Sequence, residues 1–154
     1  MLTHHHMDHS GGMRAILAQG ATLVVGQGAA AHYRKVLAAP FTRNPDLSSR
    51  DLSRVQIVEV NGKHVKSDGK REVSAHVTDN PHVKAMLIGY VADARLGFVT
   101  DIWSPGRDPL PGKINSPLLA VYKATRQAGI QPLRFAGGHG SAGDYAPLAK
   151  LAGE

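Results

Sequence analysis

The sequence predicts one α/β domain, residues 1–154, built on a mixed, largely antiparallel sheet. Three observations carry this. Helix and strand units open the chain, punctuated by Gly20 and Pro40. Between residues 55 and 100 the apolar pattern shifts to period two, with turn signals at Asn61-Gly62, Ser67-Asp68-Gly69 and Ala92-Asp93-Ala94. A helix and a strand return after Ser116. At 154 residues the chain suits a single core.

Taken in order, residues 2–9 read as a strand end running into a loop at Gly11 and Gly12. Residues 13–19 read as a helix closed by Gly20, and 22–25 as a short apolar strand. The Ala-rich stretch 27–38 reads as a helix stopped before Pro40. Residues 41–53 are polar and carry Pro45, so a surface loop is expected. Residues 55–60 form a strand, Asn61-Gly62 turns it, and 64–66 are expected to pair back as a hairpin. Val73, Ala75 and Val77 alternate as the next strand; 86–91 and 96–100 are two more, joined at Ala92-Asp93-Ala94. The Pro- and Gly-rich segment 105–117 is a loop. Residues 117–128 form a helix with Ser116 as the expected N-cap, Pro117 at its first position and Gly129 as its stop. A last strand at 133–136 and a short helix ending at Leu151 close the chain.

Composition narrows the chemistry. There is no cysteine, so disulfides and thiolate metal sites are excluded, and any metal must be held by His, Asp or Glu. Nine histidines against twelve acids is an unusual richness. The net charge of +6 raises the question of an anionic partner, but the basic residues are spread out and only 5% of residues are aromatic, which argues against nucleic acid. No apolar run is long enough for a membrane span, and the N-terminal residues have no signal-peptide pattern, which leads to an expectation of cytoplasmic placement.

The chemistry concentrates in Thr3-His4-His5-His6-Met7-Asp8-His9-Ser10-Gly11-Gly12. In an extended strand His4, His6 and Asp8 share one side, and His9 follows where the chain bends. Neutral imidazole with carboxylate suits zinc, and also iron or manganese. Three histidines before Ser-Gly-Gly also occur in purification tags. A tag, however, predicts nothing of His82 in Asn80-Pro81-His82, Asp101 after Phe98-Val99-Thr100, or His139 in Gly137-Gly138-His139-Gly140.

This ordered set resembles the metallo-β-lactamase superfamily, whose T-H-x-H-x-D-H-x-G-G signature is followed by a third histidine, a strand ending in Asp and a strand ending in Gly-His-Gly. The resemblance implies an αββα sandwich. It implies that His4, His6 and His82 hold one metal, that Asp8, His9 and His139 hold a second, and that Asp101 bridges them. Asp8 and His139 are assigned as catalytic as well. Two Zn2+ per chain are implied, with iron or manganese as alternatives. Each ion keeps an open position for water, and a water shared between two ions supplies hydroxide near neutral pH for attack on an ester, thioester, lactone, lactam or phosphodiester of a small-molecule substrate. A glyoxalase-like thioester hydrolase shares the same Thr3–His9 pattern.

The family places this motif well inside its domain, whereas here two residues precede Thr3. The resemblance therefore implies that the chain matches the later part of the sandwich. An exposed apolar face and strand edge are then expected, with a second copy of the chain as their cover. A chain that binds metal without a competent pocket is the rival reading, and a basic nucleic-acid binder the weaker one. His5 is expected to lie on the opposite face from the ligands. His32, His64 and His76 are expected to be structural or surface residues, and Trp103 and Tyr145 to belong to the core.

Overall fold

The computed structural model describes residues 1–40, 51–107 and 109–154. Its described elements are α1 (Met7–Ser10), α2 (Met13–Leu17), β1 (Leu23–Gly26), α3 (Ala30–Ala38), β2 (Ile57–Val60), β3 (Lys63–Ser67), β4 (Glu72–Thr78), β5 (Met86–Val91), β6 (Leu96–Val99), α4 (Ser116–Gln127), β7 (Arg134–Gly137), β8 (Ala142–Asp144) and α5 (Ala146–Leu151). Strands β3 to β8 form one six-stranded sheet in chain order, antiparallel except where β6 meets β7, and β1 and β2 form a parallel pair of their own. The expected mixed, largely antiparallel α/β architecture is present.

Apolar burial stacks these elements in four layers. Met13, Leu17, Tyr33 and Leu37 of α2 and α3 pack against Leu23 and Val25 of β1. Val60, Ala75 and Leu87, with Val24 and Val77, fill the gap between the two sheets. On the far side, Leu118, Val121 and Ala124 of α4 meet Met86, Ile88, Val99 and Phe135. The 118/121/124 spacing is one helix face, and each fully buried Leu or Val contributes about 1.5–3 kcal/mol. Thr125 is buried on the same face and satisfies its hydroxyl by donating to the Val121 carbonyl at 2.8 Å. Phe135 lies over Gly97 of the neighbouring strand, where a Cβ would collide with its ring. On the sheet face turned towards β1 and β2, Val73 and Phe98 remain 43% and 38% exposed.

Four expectations are corrected. Residues 2–9 are not a strand: Thr3 bonds to Leu87 through its carbonyl, and the chain then turns into the short helix α1 after an extended His6. Gly11, where a loop was expected, closes that turn with its N–H on the Met7 carbonyl. Asn61-Gly62 does not join a hairpin. Strand β2 is apolar enough to bury beside β1, while the polar β3 pairs with β4, so this turn carries the chain from one sheet to the other. Gly62 supplies the positive φ of 85° that the reversal needs. Helix α3 begins at Ala30, since Gly28 at φ 86° is outside right-handed helical space. The α4 N-cap is Asn115, whose Oδ1 accepts from the Leu118 N–H at 3.1 Å, and Ser116 is the first helical residue. Strand β8, only three residues long and containing a glycine, was not expected at all. The expected loop 41–53 falls largely outside the described residues.

Candidate metal centre

The seven donors expected from the sequence meet at one end of the sheet. They fall into two groups, His4 with His6 and His82, and Asp8 with His9, Asp101 and His139. The N-terminal segment delivers four of them. Extended backbone at His6 gives way to α1, so Asp8 points from a helical turn and not from strand alternation, with His9 beside it in that turn. The Ser10 hydroxyl donates to the His6 carbonyl at 2.9 Å and holds that turn closed. The other three donors sit where strands stop.

His82 precedes β5 in a turn built by Asn80. The Asn80 Oδ1 accepts from the N–H groups of His82 and Val83 at 2.9 and 3.0 Å, and its amide donates to the carbonyls of Thr78 and Val83. His139 follows β7 through Gly137 and Gly138. A Cβ on Gly138 would meet the Thr100 methyl group, so only glycine lets this turn approach the centre.

Asp101 leaves β6 with φ 57°, a left-handed conformation that Asp tolerates better than most residues. The Ile102 N–H reaches the Thr100 carbonyl across it at 2.5 Å, a three-residue γ-turn. This strained turn aims one carboxylate at both donor groups, and such strain clusters at functional sites. Asp101 Oδ2 lies 3.0 Å from His9 Nε2 and 3.5 Å from His4 Nε2; Oδ1 lies 3.3 Å from His139 Nε2 and 3.8 Å from His82 Nε2.

The donor spacing fits metal ions. His9 Nε2, His139 Nε2 and Asp8 Oδ2 form a triangle with edges of 3.2, 3.3 and 3.2 Å. Ligands about 2.0–2.1 Å from one tetrahedral ion stand about 3.3 Å apart. His82 Nε2 and His6 Nδ1 are likewise 3.2 Å apart. Two buried atoms agree with such a site: His4 Nε2 and Asp101 Oδ2 stand 3.5 Å apart, and neither makes a hydrogen bond of acceptable geometry among the described residues. Burial leaves such atoms costly unless something satisfies them. A cation between them does so. Burial, opposed by the Asp101 charge and reinforced by neighbouring imidazoles, pushes the His4 pKa down to about 4, so its ring is neutral and able to ligate. Burial pushes the Asp101 carboxyl up, and the Thr100 hydroxyl with His9, His4 and His82 pull it below its ordinary value.

Behind the donors stands a threonine pair. Thr3 Oγ1 lies 3.1 Å from His4 Nδ1 and receives the Thr100 hydroxyl at 3.2 Å. Both threonines are buried. A ring bonded through Nδ1 has its orientation fixed with Nε2 free to ligate. Sequence reading did not assign roles to Thr3, Thr100 or Asn80. The Asn-Pro pair was a usable turn signal; Thr3 was read only as the first residue of the motif, and Thr100 looks like an ordinary strand residue.

The other histidines lie outside the two donor groups. His5 is exposed and outside both donor groups. His76 is buried on β4, with Nε2 2.8 Å from the Ser74 hydroxyl. Trp103 and Tyr145 flank Phe135 in the core, at ring separations of 5.4 and 5.6 Å. Trp103 also borders a cleft of about 250 Å³ beside Asp101, shared with Leu110, Pro111, Asn115 and Pro117. Among the described residues, no helix is long and apolar enough to cross a membrane.

No protein-family model matches the sequence, and no curated protein does. Solved structures do match. A metallo-β-lactamase from Pontibacter korlensis superposes with a TM-score of 0.62 at 19% identity, over 98% of this chain and 66% of that one. A metallo-β-lactamase superfamily protein from Sulfolobus tokodaii gives 0.64 at 16%, over 97% and 64%. Rubredoxin oxygen:oxidoreductase from Desulfovibrio gigas gives 0.65 at 16%, over 97% and 40%. The chain thus spans about two thirds of the first two relatives and less than half of the third. Nearly every residue of this chain takes part in the match, and the donors cluster at one end of its sheet: the chain has the metallo-β-lactamase fold.

Proposed function

We propose that this chain is a metal-dependent hydrolase that holds two metal ions, preferentially zinc, and cleaves an ester, thioester, lactone, lactam or phosphodiester in a small molecule. The observation that supports this most strongly is the sharing of Asp101. Its two oxygens reach histidines of both donor groups, the arrangement a two-ion site requires. His4, His6 and His82 hold the first ion; Asp8, His9 and His139 hold the second. Bound there, the ions supply Lewis-acid polarisation and an acidified water.

The chain's own residues supply position and access. His4 is buried against Thr3 and forms the floor. The side chains of Asp8 and His139 are 59% and 38% exposed, so the second group opens to solvent and substrate approaches from that side. The cleft beside Asp101, with Trp103 and Leu110 on its walls, holds only a small acyl or phosphoryl portion, since whole ligand sites occupy about 300–1,000 Å³.

The likeness to a rubredoxin oxygen:oxidoreductase supports a second reading, a redox centre on the same donors, because imidazole and carboxylate also suit iron. Elemental analysis of the purified chain, with hydrolysis of an ester, thioester, lactam and phosphodiester panel, separates the two. Two zinc ions per chain and saturable hydrolysis that disappears in Asp101→Ala are expected. Iron with oxygen uptake and no hydrolysis establishes the redox reading instead, and fewer than two ions per chain refutes the shared site.

A further inference from the structure

A second imidazole pair lies at the edge of the centre. His5 is exposed on the N-terminal segment, and His32 is exposed on α3. Their ring centroids are 5.3 Å apart at an interplanar angle of 66°. Within the centre, His4 and His6 stand at 4.6 Å, His6 and His82 at 4.8 Å, His9 and His139 at 5.0 Å, and His4 and His82 at 5.1 Å. Two imidazoles sharing a tetrahedral ion, with metal–nitrogen bonds of about 2.0–2.1 Å, have centroids about 5 Å apart. The His5–His32 spacing is one that two rings sharing an ion can adopt.

Both rings are carried on held backbone. His32 lies next to the buried Tyr33 on a helix anchored by Tyr33 and Leu37. The His5 carbonyl receives the Ser10 hydroxyl at 3.3 Å, and the flanking His4 and His6 are fixed by their own contacts. Little further ordering is needed to bring the two rings onto one ion. The pair is also continuous with the centre: His5 and His6 stand 5.0 Å apart, so imidazoles run from His32 through His5 and His6 to His4 and His82 without a gap.

We propose that His5 and His32 form an auxiliary, exchangeable site for a divalent transition-metal ion, which passes through His6 to the seven-donor centre. Two protein donors, with water completing the shell, hold an ion weakly enough to release it. The transfer is ligand exchange alone: the ion keeps its charge as neutral imidazoles replace one another. The auxiliary site stands on its own geometry; the passage to the centre rests on the reading of that centre as a metal site.

The test uses Zn2+ alone on the purified, metal-loaded chain. Equilibrium dialysis across rising Zn2+ is expected to show one further, weakly held ion per chain. His32→Ala and His5→Ala each remove it and leave the tightly held complement unchanged, whereas His64→Ala, a histidine outside this cluster, removes nothing. Exchange of the tightly held ions against isotopically labelled Zn2+ is expected to slow several-fold in His32→Ala. Absence of the further ion, its survival in His32→Ala, or its loss in His64→Ala overturns the site. An unchanged exchange rate overturns the passage. Because the tightly held ions are counted separately, their absence from the wild-type chain counts against the centre and not against the auxiliary pair.

Discussion

Residues 4–9 and the three strand-end donors bring ligands to the same point by different physical means. The first region packs four donors into one continuous stretch, and local backbone geometry alone brings them together. The second depends on the whole sheet: His82 before β5, Asp101 after β6 and His139 after β7 converge only because these strands are neighbours. The local region needs little tertiary structure but carries exposed donors, with Asp8 59% exposed in its side chain. The sheet-borne region contains the strained element, the γ-turn at Asp101, and strain is retained only where surrounding structure over-determines it. On the proposed two-ion reading, the N-terminal segment captures ions and the sheet fixes their separation.

The sharpest break of this contrast is Asp101→Ala. Removal of the carboxylate that, alone among the described residues, reaches both groups is expected to weaken binding of both ions by more than the roughly 10–100-fold typical of an outer-shell change. Two ions per chain in the variant, by elemental analysis, would mean the two regions act independently and Asp101 does not bridge.

Legibility in the sequence follows the same division. The four donors of residues 4–9 can be read from spacing alone, although strand alternation, the reason given for His4, His6 and Asp8, fails at Asp8, which lies in α1; His9 was expected at a bend and lies in that same turn. His82, Asp101 and His139 have no local signal; they are legible only through the ordered motifs that resemble a family. The Asn61-Gly62 turn was seen but its consequence was not, because turn chemistry specifies a reversal and not which sheet the next strand joins. Thr3 and Thr100 were illegible because their role depends on a contact between residues 97 positions apart.

The buried floor of the site should also register in stability. His4 has its pKa lowered to about 4 in the folded chain against 6.5 when unfolded. Between those values the unfolded state binds more protons, so stability of the metal-free chain rises with pH across pH 4 to 6.5, and His4 adds no slope outside that window. The full swing is on the order of 3 kcal/mol, at 1.36 kcal/mol per pKa unit. Urea melts at pH 4.5 and 7 in the wild type and in His4→Gln measure it. An equal pH dependence in both would assign the effect to another group, such as the buried His76, whose pKa burial also lowers.

Thr3→Val tests whether the local region needs the sheet at all. The variant keeps the buried volume and removes the hydroxyl that faces His4 Nδ1 and receives Thr100. Affinity at the His4 group is expected to fall about 10–100-fold, as for other outer-shell partners. The Asp8, His9 and His139 group, which Thr3 does not touch, should keep its ion. Competition against a chelator resolves the two affinities, and equal losses at both would show that the groups are coupled through more than Asp101.

The smallest effect is expected at Asn80, whose side chain makes four hydrogen bonds around the His82 turn and contacts no donor atom directly. Asn80→Ala leaves buried and half-buried backbone groups to find water, at about 1–3 kcal/mol of stability for a lost network of this kind. His82 is the most exposed donor of its group, so its backbone, freed from the turn, can still return to the ion at an entropic cost. Thermal melts with and without Zn2+ separate the outcomes. Destabilisation that Zn2+ largely reverses means the turn only pre-positions His82 and the ion can assemble the site itself. Destabilisation that Zn2+ leaves untouched means the sheet must place His82 before any ion binds, and the N-terminal segment is then the follower and not the leader.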